Sequence, residues 1–227
     1  QERFLLARSR IEQGLAQRDS GAAEQAMKSL FDAMEEMVKL VETQKPSPQR
    51  EEMALTLAEA YTEFGDIVAG KLGGNDAKES HGEATTILME LIRVHPQWGE
   101  ARYLLGRSYG AMANLERDLG KPAEAQRRQI MAVQALAELV KLYPENTRYL
   151  TEFARQKGQH AQLICDLGKA KDSIPVGQDA IASLESAMKN EAALDVLDRK
   201  ACGVLMAQLY GILGHSCEAA RNSKLAK

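Results

Sequence analysis

The stretch RYLLGRSYGAMANLERDLGK, Arg102 to Lys121, admits two readings that lead to different proteins. Gly106-Arg107-Ser108-Tyr109-Gly110 fits the Gly-x-Ser-x-Gly pattern of a hydrolase nucleophile elbow, which needs a strand, a strained turn carrying the serine, and a helix. The same stretch places Leu105, Tyr109, Met112, Leu115 and Leu119 at three- and four-residue spacing, the stripe of an amphipathic helix. That period runs straight through the glycines. Ser108 is therefore expected at an ordinary helix position on the surface, not as a nucleophile.

Working outward, the end of this stretch recurs. Asp118-Leu119-Gly120-Lys121 returns as Asp166-Leu167-Gly168-Lys169, and LIRVHP at Leu91–Pro96 returns as LVKLYP at Leu139–Pro144, both 48 residues on. Two different signatures at one offset establish an internal repeat. Related turns stand at Arg18–Gly21, Lys71–Gly74 and Ile212–His215. Gly120 suits the left-handed position after a helix, Pro122 the first turn of the next, and Pro96 and Pro144 close the second helices. Ser47 before Pro48 reads as a helix cap, and Asp76 with Glu79 as a capping box. No segment alternates at period two. The spacing predicts five antiparallel helix hairpins over about 2–43, 50–94, 97–142, 146–189 and 192–226, forming one domain over 1–227. The last hairpin divides into helices at 192–213 and 216–226. The expected fold is all-α, a right-handed superhelical α-solenoid.

Net charge is −3, so the whole chain has no general attraction for nucleic acid or an anionic membrane. It is uneven, at −3 over residues 1–60 and +2 over 116–170, and an acidic partner would favour the latter. A helical-repeat RNA binder would carry a basic groove, and the charge counts against it. Cys165, Cys202 and Cys217 are odd in number and scattered, which fits a reduced, cytoplasmic setting. There is no run of about 18 apolar residues. The four histidines form no ligand cluster; His215-x-Cys217 lacks a second pair, so no metal and no cofactor are expected. Met27, Met34 and Met37 form a helical stripe that reads as core.

Leu105, Gly106 and Tyr109 in the third unit, Leu57, Ala58 and Tyr61 in the second, and Met206, Ala207, Tyr210, Gly214 and Ala219 in the last resemble the tetratricopeptide repeat (TPR) family. The repeats here are longer than the usual 34 residues. Extended repeats of this kind are similar to those of kinesin light chains, including the bacterial kinesin light chains. The resemblance implies a non-enzymatic protein-interaction scaffold, whose partner is a protein or peptide, and for the bacterial kinesin light chains filaments of bacterial tubulin. Membrane association stays open, as does a helical regulatory domain of a larger enzyme. Gly106, Ala58, Ala154 and Ala207 are expected where paired helices approach most closely. In the family the first helix of each hairpin lines a concave groove. Carried over, the lining residues are Tyr103, Arg107, Arg148, Thr151, Arg155 and Gln159, with Leu55, Glu59 and Glu63 toward an acidic end. Arginines beside a tyrosine suit a peptide carrying carboxylates.

Overall fold

A computed structural model describes residues 1–70, 74–189 and 196–225, all helices and turns among those residues. The helices are α1 (Glu2–Asp19), α2 (Ala23–Thr43), α3 (Pro48–Ala69), α4 (Gly74–Val94), α5 (Gly99–Asp118), α6 (Pro122–Leu142), α7 (Thr147–Asp166), α8 (Ala170–Lys189) and α9 (Val196–Leu225). The first eight follow the predicted pairs to within a few residues. The chain divides into two compact units, Gln1–Leu115 and Glu116–Lys227, where the sequence leads one to expect a single array.

The turns explain the repeat. After α5 the Gly120 N–H bonds the Arg117 carbonyl at 2.9 Å and the Lys121 N–H reaches back to Glu116 at 2.8 Å. After α7 the same pair recurs, Gly168 to Cys165 and Lys169 to Ile164. This is the Schellman closure, and it puts Gly120 and Gly168 at φ of +71° and +78°, where a Cβ is strained. Ser47 caps α3, its hydroxyl accepting from the Arg50 N–H at 3.2 Å with Pro48 following. Asp76 lies inside the first turn of α4, which begins at Gly74. Residues 71–73 of the expected turn there fall outside the described residues.

In the first unit α1 packs on α2, α2 on α3 and α3 on α4, and α1 also meets α3. On α2 one stripe is buried, Ala26, Leu30, Ala33, Met34, Met37 and Leu40, whereas α3 and α5 are buried on more than one face. Met37 is fully buried, Met34 nearly so, and Met27 packs against the same core. Burying each such side chain stabilises by about 1.5–3 kcal/mol. In the second unit α7 packs on α6 and α8, and α9 on both α7 and α8. Ala58 and Ala154 are wholly buried at the positions that require a small residue, whereas Ala207 is exposed. A Cβ added to Gly65 would stand 2.7 Å from the His81 ring, so the glycine on α3 makes room for that ring from α4.

The fifth hairpin does not form as expected. α9 is one helix of 30 residues, and no turn interrupts it at Gly214. Its buried positions, Cys202, Leu205, Leu209, Ser216 and Ala220, continue at helical spacing across Gly214. A turn there would remove half of that stripe from α8, and one interior glycine costs only about 1 kcal/mol. The predicted start of that hairpin, 192–195, lies outside the described residues. In α8, Pro175 sits inside the helix, which begins at Ala170.

Candidate interaction surfaces

Ser108 lies within α5, fully buried, with its hydroxyl 3.0 Å from that of Thr62 on α3. No strand or bend presents it, so the elbow reading fails as expected. The serine is, however, an interior residue and not a surface one. Its hydroxyl is satisfied by a side chain one repeat earlier.

Arg107 follows the same logic. Its guanidinium donates to Glu63 at 2.7 Å and to Asp66 at 2.6 Å, both on α3. Glu63 also receives Arg18 from α1. The side chain of Glu63 is only 7% exposed, so a nearly buried carboxylate at the centre of a charge ladder ties α1, α3 and α5 together. Burial opposes the charge on Arg107, but Glu63 and then Asp66 more than offset it and raise its pKa above the ordinary guanidinium value. His81 of α4 is fully buried beside this cluster, its Nε2 3.5 Å from Asp66 and neither ring nitrogen hydrogen-bonded. Burial, then the positive charge of Arg107, pushes the imidazole down to about 4, so it stays neutral at neutral pH. Tyr103 is buried, its ring 6.0 Å from the Arg107 guanidinium carbon.

The remaining sequence-derived residues all lie on α7 in the second unit. Arg148 and Arg155 are exposed. Arg155 pairs with Glu152 of its own helix at 3.3 Å. Thr151 faces α9, with its hydroxyl 3.7 Å from the Cys202 thiol. Gln159 is half-buried, and its side-chain carbonyl oxygen is buried without a hydrogen-bond partner. Beneath them Gln129 of α6 donates to both the backbone carbonyl and the side-chain oxygen of Gln156, which in turn donates to Glu152. Tyr103 and Arg107 thus belong to one unit, and Arg148, Thr151, Arg155 and Gln159 to the other.

The ladder had a signal in the sequence. Arg8–Glu52, Glu51–His95 and Glu63–Arg107 are each separated by 44 residues, Arg18–Glu63 by 45 and Thr62–Ser108 by 46. All stand just short of the repeat length. Complementary side chains at that offset mark helices stacked one repeat apart.

Sequence reasoning missed a second surface. Two adjoining hollows of about 500 and 350 Å³ lie along α2, α3 and α4 and share Phe31, Met34 and Tyr61. Together they form a trench floored by Met34, Tyr61, Phe64 and Val68. Phe31 stays 51% exposed at its edge, its ring 6.4 Å from that of Phe64. Three aromatic residues on α2 and α3 beside a run of Glu at helical spacing were the available clue. Among the described residues, no three His, Cys, Asp or Glu converge as a metal requires, and no helix is long and apolar enough to cross a membrane.

No family model and no curated protein matches the chain. Among solved structures it is similar to a thermophilic TPR protein of Thermus thermophilus, at 16% identity and a TM-score of 0.52 over 95% of this chain and 89% of that one. A de novo designed helical repeat protein aligns at 15% identity and a TM-score of 0.34 over 97% of each chain. Described by its helices, its turns and the first of these likenesses, the fold is an all-α, TPR-like α-solenoid.

Proposed function

We propose that the chain is a non-enzymatic protein-protein interaction scaffold. One observation carries this: the trench along α2, α3 and α4 leaves the Phe31 ring half in water at its lip. An aromatic ring at the lip of an apolar hollow, on packed helices, is the surface that partners use as an anchor. Ser108, the residue that pattern alone marks for chemistry, supports the same reading because it is enclosed and hydrogen-bonded.

A second surface is favoured by the exposure of Arg148 and Arg155 on α7, which suits a segment carrying carboxylates. A filament of the bacterial tubulin type, which the kinesin-light-chain resemblance implies, would be met on this face. The test is in-cell photocrosslinking with a photoreactive amino acid at position 31 or position 155. A discrete protein adduct at 31 supports the trench, and one at 155 alone transfers the role to α7. A tubulin-type adduct at 155 would identify that filament. No adduct at either position, with ester turnover by the purified chain, would overturn the scaffold reading.

A further inference from the structure

We infer that the trench of the first unit holds a cationic amphipathic segment of a partner protein, with Lys or Arg flanking an apolar stripe. The inference deepens the scaffold reading and rests on it. Its first support is the rim. Glu35 and Glu42 of α2 stand on one side, seven residues and hence two turns apart; Asp76, Glu79 and Glu83 of α4 stand on the other at three- and four-residue spacing. All five are exposed. Lys39 is the one cation among the described lining residues.

The second support is that these carboxylates are left un-neutralised. Elsewhere in the unit Glu36 is paired with Arg3, Glu63 with Arg18 and Arg107, and Glu90 with Arg93. Among the described residues none of the five rim carboxylates is held in an ion pair. Their field meets on Tyr61, between the two rims. Burial, then Glu83, Glu42 and Glu79, raises the pKa of its phenol. Exposed carboxylates of one sign on both flanks of a low-dielectric hollow concentrate cations there, the more so at low salt. The faces of Phe31, Tyr61 and Phe64 add the negative quadrupole that attracts ammonium and guanidinium groups.

The third support is shape. Each rim spans about 10 Å along its helix, from seven residues at 1.5 Å rise. The two hollows join at Phe31, Met34 and Tyr61. That fits about two turns of a partner helix with its apolar stripe downward and its basic residues reaching each rim, the helix-in-groove mode. An acidic segment would be repelled from both sides.

The experiment is a random-peptide display selection against the whole chain, followed by anisotropy with a labelled selected peptide. Enrichment of peptides with net positive charge and spaced apolar residues is expected. Their affinity should fall at least 10-fold in Phe31→Ser and in the pair Glu79→Lys with Glu83→Lys, and should weaken as salt is raised. If Phe31→Ser alters the far-UV spectrum, the charge-reversed pair, on exposed positions, decides alone. Acidic selected peptides, or basic ones whose affinity neither variant changes, overturn the trench assignment and leave the scaffold reading standing. No enrichment of any peptide overturns both.

Discussion

Replacing Arg107 by Met asks whether this guanidinium serves the fold or a partner. Methionine keeps the apolar stem and removes the charge. Glu63, 7% exposed, would retain only Arg18, while Asp66, 37% exposed, would turn to water. Breaking a buried pair outright costs about 3–5 kcal/mol. Because Arg18 still neutralises Glu63 and solvent reaches Asp66, about 2 kcal/mol is expected. With a urea dependence of about 1.5–2 kcal/mol per molar, the unfolding midpoint should fall by about 1 M. Trp98, the sole tryptophan, sits just before α5, so its fluorescence follows this unit. Arg155→Met is the control: its partner is in its own helix and its side chain is 43% exposed, so the loss should be under about 0.5 kcal/mol by circular dichroism. Glu63→Gln should then cost less in the Arg107→Met background than in the wild type, since the two residues share one interaction. A midpoint within about 0.2 M of wild type for Arg107→Met would refute the ladder and return Arg107 to a partner-facing role.

The pH dependence of the first unit carries a sign set by His81. Its folded value near 4 lies below the ordinary 6.5, so the unfolded chain binds the proton first as pH falls. The stability contributed is complete above about pH 6.5 and is lost progressively toward pH 4, about 3 kcal/mol in all. Urea midpoints read by Trp98 fluorescence should fall across that window, and fall less in His81→Leu; equal slopes would contradict the assignment. Gly214→Ala should stabilise the second unit by up to about 1 kcal/mol, because α9 is continuous and nothing stands within 4 Å of the new Cβ. Gly168→Ala, at φ +78°, should destabilise it by about 1 kcal/mol. Thermal melts by circular dichroism distinguish the two; a destabilising Gly214→Ala would restore the turn.

The hairpin boundaries were legible because their signals are local. A glycine with positive φ and a proline at the next helix start act on the chain within a few residues. Gly214 carried the same letter without the same geometry, since the stripe from Cys202 to Ala220 makes continuation more favourable than a turn. Local propensity was overruled there by burial against α7 and α8. The ties of Arg107 were harder to read for the opposite reason. Its partners lie 41 and 44 residues earlier, and a charge at a groove position reads as solvated until stacking brings another helix against it. The trench depends on α2, α3 and α4 together, so no single helix displays it. Arg148 and Arg155 are exposed on α7, while Thr151 is taken up by Cys202 of α9, a contact between residues 51 apart that no local pattern displays.

The matching closures at Gly120 and Gly168 make the 48 residues between them a cassette. Recombination between the coding segments for these joints would excise or copy α6 and α7 and rebuild the same hydrogen-bonded corner. The buried amide pair Gln129–Gln156 would travel inside the fragment, together with Glu152 and Arg155. Losing or gaining the segment would therefore strand neither glutamine of that pair, and the chain's length is a quantity that evolution can change in whole steps.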